Sequence, residues 1–270
     1  MKKYISIAIA LLALAGCKED EIGTAAYTDK AVIEAYLYPG LPVSVYITKQ
    51  IPSATTDVGQ DAIDTLQVYI THNSDTILLT NSTGGYYVSD STLLVQQGHT
   101  YGLLFYFNGS YVTSVTTVPT VPEGFAQDIT EMTIEEFDFS SGPPSTPPTM
   151  PDPLNLTWSN PAKEYYMVVV KNTETTLVAT YNNTDTTRQR PVFRNQPTQG
   201  SSQQLRSQQF EYYGHHYIIL YHINPEYAGL YDDSGNSTQN LRQPPTNIVN
   251  GTGIFTAISS DTLDFTVKQP

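Results

Sequence analysis

The sequence predicts a mostly β protein built as two β-sandwiches, with one short helix in the second. Three observations predict it. The chain carries 20 Tyr against one Trp and is rich in Thr, Val and Ile, side chains that suit a pleated, half-buried surface. Short apolar runs recur between clusters of Gly, Pro, Asn and Asp, which is the rhythm of strands and turns in a sandwich. Stretches of Ala, Leu, Glu and Lys that would favour helix are almost absent beyond residue 16.

Residues 29–119 are expected to form the first sandwich. A strand over 31–38 stops at Pro39-Gly40, a turn signal. Residues 43–48 form the second strand. Over 65–71, Leu66, Val68 and Ile70 alternate with Gln67, Tyr69 and Thr71, and Asn73-Ser74-Asp75 turns the chain into 76–79. Gly84-Gly85 leads into Tyr86-Tyr87-Val88. Strands over 99–107 and 111–118 flank Asn108-Gly109. Asn-Gly tolerates positive φ at both positions and so closes a two-residue hairpin. Pro119 and Pro122 end the region.

Residues 120–270 are expected to form the second sandwich, with Pro-rich and polar loop insertions. Ile129, Met132, Ile134 and Phe137 supply the apolar positions of residues 125–139. The Pro-rich run 142–148 cannot pair inside a sheet and reads as an exposed loop. Leu154-Asn155-Leu156-Thr157-Trp158 puts the lone Trp in a core, and a Tyr-rich strand follows over 165–171. That pair looks like a fibronectin type III or immunoglobulin-like sandwich, a likeness of fold that carries no function. The polar stretch 182–209 predicts a long mobile loop, and 212–223 a strand. Over 225–231, Tyr227, Leu230 and Tyr231 share one helical face, and Pro225 suits a first turn. Residues 253–259 and 262–267 are expected to close the chain as an antiparallel pair.

The start of the chain speaks to location. Lys2 and Lys3 precede an apolar run over 5–14, and Leu14-Ala15-Gly16-Cys17 follows. A positive start, a short apolar run and small residues before a cut form a secretory signal, expected over 1–16. The run is too short to span a bilayer, which takes ~20 residues. The tetrad resembles the lipobox of bacterial lipoproteins, whose cysteine takes a diacylglycerol and, after cleavage, an acyl chain on its new amine. Cys17 is the sole cysteine, and a lipid thioether accounts for an odd cysteine in an exported chain. Residues 17–28 then read as a lipidated tether. Lys18-Glu19-Asp20-Glu21 resembles the surface-export signal of Bacteroidota lipoproteins; the alternative is a soluble spacer.

Composition excludes some partners. Net charge is −13, and loss of Lys2 and Lys3 would make it two units more negative. Nucleic acid binding needs Lys and Arg to displace phosphate counterions. Anionic headgroups would also be repelled, so the lipid must do the anchoring.

No catalytic constellation emerges. His216 and His222 share a strand face but lie six residues apart, about 20 Å at ~3.3 Å per residue, too far for one metal. His215 points the other way, and only carboxylates, His72 and His99 could complete a metal site. Satisfied sheet histidines are the expectation, with no metal and no cofactor. Asp232-Asp233-Ser234-Gly235-Asn236 lacks the alternation of a calcium loop and reads as a polar turn. Glu135 and Glu136 are adjacent and would face opposite sides of a strand. No nucleophile elbow, His-Glu-x-x-His pair or phosphate-cradling loop is present. The reading is therefore not an enzyme. Asp64-Thr65-Leu66, Asp75-Thr76-Ile77, Asp90-Ser91-Thr92, Asp185-Thr186-Thr187 and Asp261-Thr262-Leu263 resemble Bacteroidota O-glycosylation sites. Adjacent tyrosines at 86–87, 165–166 and 212–213 should each point one ring away from its core, as binding surfaces do.

The closing sequence carries a family resemblance. Asn247-Ile248-Val249-Asn250-Gly251-Thr252-Gly253-Ile254-Phe255 resembles the Asn-Ile-x-Asn-Gly-x-Gly-x-Phe motif of a Bacteroidota outer-membrane lipoprotein family of unknown function. The lipobox, the first strand ending in Pro-Gly, Gly98-His99-Thr100-Tyr101, the Val-Pro after the first sandwich, and Asn160-Pro161 before Tyr165-Tyr166 agree in order. The resemblance implies a gene neighbourhood with TonB-dependent receptors, and so an accessory binding subunit for uptake at the outer membrane. It brings no catalytic residue. In the motif, Gly251 and Gly253 are expected to permit a tight turn, with Asn250 at positive φ. The alternative function is a surface adhesin or structural module that binds glycans or host protein.

Overall fold

A computed structural model describes residues 29–50, 61–135, 150–180, 191–232 and 245–270. Cys17, the acidic run Lys18, Glu19, Asp20 and Glu21, the Pro-rich run and Asp185-Thr186-Thr187 lie outside the described residues. So do Glu136, Phe137 and Asp233 to Asn236.

The chain is mostly β, as expected. In its first half, β1 (Ala31–Leu37), β2 (Ser44–Lys49), β5 (Thr80–Asn81) and β6 (Tyr86–Val88) lie in one sheet. They face a four-stranded sheet of β3 (Tyr69–His72), β4 (Asp75–Leu78), β7 (Thr100–Phe107) and β8 (Ser110–Thr117), in the order β4-β3-β7-β8. Alternate residues from the two sheets meet in a core that includes Ile33, Val45, Tyr87, Tyr101, Phe105 and Val112.

The second half repeats the plan. There, β10 (Glu131–Thr133), β12 (Tyr165–Asn172), β13 (Val192–Arg194) and β15 (Gly214–Ile223) oppose a three-stranded sheet. That sheet is β14 (Ser202–Leu205), β11 (Leu154–Thr157) and β9 (Ala126–Gln127). Its core holds Leu154, Leu156, Trp158, Val168, Leu220 and Phe265. The expected short helix is α1 (Pro225–Ala228), continued by a 3-10 turn over Gly229–Tyr231. Tyr227 and Tyr231 touch along its face, with ring centroids 5.7 Å apart.

One strand joins the halves. The sequence suggested a terminal hairpin; the structure has a single strand, β16 (Thr252–Lys268), of 17 residues. It runs parallel to β1 over Thr252 to Ala257, then antiparallel to β15 over Ile258 to Val267. The two larger sheets thus form one nine-stranded sheet. The odd-numbered face of β16 serves both cores, Phe255 and Ala257 in the first and Phe265 and Val267 in the second. Ser259, Ser260 and Asp261 make no turn; they pair with His222, Tyr221 and Leu220 where the strand leaves one core for the other.

Two further expectations change. The polar stretch 182–209, expected as a long mobile loop, holds β13, β14 and a 3-10 turn over Ser207–Gln209 among its described residues. Its strands are only three and four residues long and lie at sheet edges, β13 being Val192-Phe193-Arg194 and β14 mostly polar, so neither is long enough to show apolar alternation. In the other direction, residues 65–68 are not strand. The backbone N–H of Leu66 bonds the Tyr87 hydroxyl at 3.1 Å instead of a neighbouring strand.

The turns follow residue chemistry. Asn108 and Gly109 have φ of 44° and 83°, as the hairpin between β7 and β8 requires. In the closing motif Asn250 has φ 58°. Gly253 has φ 97°, and a Cβ there would strike the Ile33 carbonyl. Gly251 needs no positive φ; it is small because Ile248 and the Ala31 carbonyl crowd it.

Candidate functional site

The segment that joins the sandwiches is gripped by side chains of the second half. Ser259 Oγ donates to the Pro119 carbonyl at 2.5 Å. Asn224 Nδ2 donates to Thr116 Oγ1 at 3.0 Å and to the Thr117 carbonyl at 2.9 Å. Glu226 Oε1 accepts the hydroxyls of Thr116 and Thr256 at 3.1 and 3.0 Å. Asn224 is also the N-cap of α1, yet its side chain caps no helix N–H; its amide is spent on the linker.

A cleft of about 470 Å³ opens at this seam. Val118, Pro119, Tyr165 and Ile223 give it apolar walls, and Lys163, Glu164 and His222 are its ionisable groups. Clefts between domains are common ligand sites. The loop that presents Glu164 is shaped by Asn160. Its Oδ1 accepts the Glu164 N–H at 2.9 Å, and its Nδ2 faces the carbonyls of Glu164, Gln199 and Gly200 at 2.9 to 3.1 Å. Lys163 takes φ 54° in this turn, and Gln199 Nε2 holds its carbonyl at 2.8 Å.

His222 is buried at the base of the cleft. Its Nδ1 lies 2.8 Å from the Thr120 carbonyl and its Nε2 lies 3.0 Å from Glu164 Oε2. His222 therefore bridges the Thr120 carbonyl and the Glu164 carboxyl. The ring stacks on Tyr166 at 4.5 Å. Burial, then the carboxylates of Glu164 and Glu123, push the Tyr166 phenol up, so that ring stays neutral. Both ring nitrogens of His222 are thus engaged within the chain. The geometry can hold a ligand or a partner's segment against a fixed floor.

The other histidines are engaged elsewhere. His216 is buried beside Phe210, bonded to the Gly214 carbonyl and to the Asn172 amide. Burial lowers its pKa to about 4. His215 lies on the opposite face and pairs with Asp264 at 2.9 Å. His72 and His99 meet across β3 and β7 with nitrogens 2.9 Å apart, and His72 stacks on Tyr101. Burial, then His99, lower the His72 pKa. Among the described residues, no group of three or more His, Cys, Asp and Glu could hold a metal ion.

The tyrosine pairs divide. Tyr87 and Tyr166 are buried and their neighbours point the other way, as alternation requires: Tyr86 is exposed, whereas Tyr165 is half-buried against a second apolar cluster that includes Met167, Val169 and Ile223. Tyr212 and Tyr213 are both buried, because they precede β15 in a segment without strand alternation. Tyr213 hydroxyl reaches the Ile134 carbonyl at 3.0 Å. Thr65, Thr76, Ser91 and Thr262 of the Asp-Ser/Thr triplets are exposed, and Glu135 is exposed too. The seam residues Asn224, Glu226 and Ser259 had no local signal. Pro119, Asn160, Tyr165 and His222 stand in local patterns of the sequence, but none of those patterns brings them together.

Fold and seam define a protein of two β-sandwiches fixed to one another by a shared strand, with a cleft between them. The chain belongs to the family DUF4249, a domain of unknown function, whose model matches residues 19–264. No curated protein matches it. Among solved structures it is similar to a two-fibronectin type III domain segment from chicken tenascin, at 12% identity and a TM-score of 0.22, covering 73% of this chain and 92% of that one. It is also similar to the FN1-FN3 domains of chicken CNTN1, at 14% identity and a TM-score of 0.28, covering 71% of this chain and 60% of that one.

Proposed function

We propose that this is a surface-exposed outer-membrane lipoprotein, anchored through Cys17, that serves as a non-enzymatic binding subunit of a TonB-dependent uptake system. The observation that carries the non-enzymatic part is the state of the seam. His222 and Glu164 satisfy each other, Thr120 takes the second ring nitrogen, and Glu226 is held by two hydroxyls. We read a site whose polar groups are engaged with one another in this way as one that grips and orients. The anchor part rests on Leu14-Ala15-Gly16-Cys17 after the apolar run, and the outward face on Lys18 to Glu21. Two or three acyl chains, each buried CH₂ worth ~0.8 kcal/mol, would hold an acidic domain that headgroups repel. The receptor partner rests on the family resemblance of the closing motif.

The test is a pull-down in native detergent from cells that express this chain and the TonB-dependent receptor encoded beside it. The expected result is recovery of the receptor in amounts comparable to the chain. Recovery of none overturns the proposal.

A further inference from the structure

We infer that the outer face of the sheet β4-β3-β7-β8 is a docking surface for a protein that presents an uncharged, apolar face. The inference rests on the binding-subunit reading above, and it adds the surface that does the binding.

Strand alternation defines the face. Tyr101, Leu103, Phe105 and Val112 point into the first core, so Leu104, Tyr106, Tyr111, Thr113 and Val115 point out. The register lines up Leu78, Tyr69, Leu104 and Thr113 in one row across all four strands. An isolated bridge from Thr113 to Val249 extends that row. Tyr106 and Tyr111 face each other in the next row, rings edge to face at 5.2 Å. Exposure is high for such side chains: Leu78 55%, Tyr106 56%, Tyr111 63% and Val115 63%. Between them stand threonines and Gly102, over which the Thr71 hydroxyl lies.

An antiparallel sheet with one solvated face ordinarily makes that face polar. Here no outward position of the four strands carries Asp, Glu, Lys or Arg, on a chain of net charge −13. A contiguous exposed apolar patch marks an interaction site. Its composition is that of a protein interface core, rich in Tyr and poor in charge. The pair of tyrosine rings is already packed, so little side-chain freedom remains to be lost on binding.

Other occupants fit less well. A second copy would bring a second −13 charge against the first. An anionic membrane or nucleic acid would need Lys or Arg on the face. A glycan would find Thr and Tyr hydroxyls but no carboxylate, amide or guanidinium group at the outward positions, so few charged or bidentate bonds would fix its orientation. Two strands of eight residues and two of four, at ~4.8 Å spacing and ~3.3 Å per residue, give roughly 380 Å², about half of one side of a standard interface, so the face would be the core of a contact and the surrounding surface its rim.

The test uses the full lipoprotein and the receptor of the pull-down above. Tyr106→Ser with Tyr111→Ser removes the rings, and Val115→Lys separately sets a charge on the face. Tyr86→Ser, an exposed tyrosine of the other sheet, is the control. Each face variant is expected to reduce recovered receptor at least tenfold with an unchanged Tm, while the control leaves it unchanged. If the unaltered chain captures the receptor and both face variants capture as much, this inference is overturned and the binding-subunit reading stands. If the unaltered chain captures none, both fall. A neutral-glycan array signal abolished by the face variants, with receptor capture intact, would assign the face to a glycan and overturn the inference. A dimer in sedimentation that the variants convert to monomer would assign it to a second copy, with the same consequence.

Discussion

Asn247 and Phe255 exchange two hydrogen bonds. The Asn247 amide donates to the Phe255 carbonyl at 2.7 Å, and its oxygen accepts the Phe255 N–H at 3.1 Å. One side chain thus takes the place of a missing strand neighbour at the start of β16. The same segment reaches β8, through Ser114 Oγ to the Asn247 carbonyl and through the Thr113–Val249 bridge. It closes the first sandwich by tying its two sheets together.

Asn247→Ala leaves both Phe255 backbone groups without partners in a part-buried site. An unsatisfied buried group costs ~1–3 kcal/mol, so the loss should be about 2–4 kcal/mol. Urea unfolding measures it. A loss below ~0.5 kcal/mol would show that water or a neighbouring group replaces the amide.

Gly253→Ala and Gly251→Ala should differ. At Gly253 the backbone is left-handed and the Ile33 carbonyl occupies the place of a Cβ, so no small shift relieves it. The expected result is little or no soluble protein. At Gly251 the nearest obstacle is the movable Ile248 side chain, and a folded protein with a lowered Tm is expected. Equal behaviour of the two variants would contradict the register of β1 with β16.

Trp158 reports on the coupling of the halves. It sits in the second core, whereas Leu103 sits in the first. Leu103→Ala should cost ~2–5 kcal/mol. Because β16 and the linker contacts join the cores, Trp158 fluorescence and far-UV circular dichroism should shift together to lower urea. A Trp158 transition that stays where it was would mean that the halves unfold independently.

His216 should make the protein sensitive to acid. Its folded-state pKa, about 4, is depressed below the ~6.5 of an exposed histidine. The unfolded chain therefore binds the extra proton between those values, and stability falls as pH drops from ~6.5 towards 4. The contribution is roughly 3 kcal/mol at one kcal-scale step of 1.36 per unit. Unfolding midpoints measured from pH 7 to 4 test the slope, and His216→Gln should flatten it.

His222→Phe keeps a ring for Tyr166 to stack on but cannot donate to Thr120 or Glu164. Leaving the Thr120 carbonyl unbonded should cost about 1–3 kcal/mol. The Tm should fall while the far-UV spectrum stays β. An unchanged Tm would mean that the linker is held without this histidine.

The sequence made local features readable and long-range ones not. Asn108-Gly109, Pro39-Gly40 and Pro225 act through their own backbone preferences, so the hairpin, the first turn and the helix start were legible. The alternation that buried Tyr87 and exposed Tyr86 was equally local. The unity of β16 was not, because Ser259-Ser260-Asp261 has the composition of a turn. Those residues are polar because Ser259 meets the Pro119 carbonyl between two cores, a fact of tertiary position. The seam brings together residues from four stretches of sequence, Thr116 to Thr120, Glu164, His222 to Glu226, and Thr256 to Ser259, and no spacing announces it. His72 and His99 were named as the remaining candidates, but their meeting depends on the register of β3 with β7.

The most direct measurement is native mass spectrometry of the TonB-dependent receptor encoded beside this chain, released from outer membranes in mild detergent. The expected spectrum holds the receptor bound to one diacylglycerol-modified copy of the chain beginning at Cys17. A spectrum of receptor without the chain, with the chain recovered separately, would contradict the account.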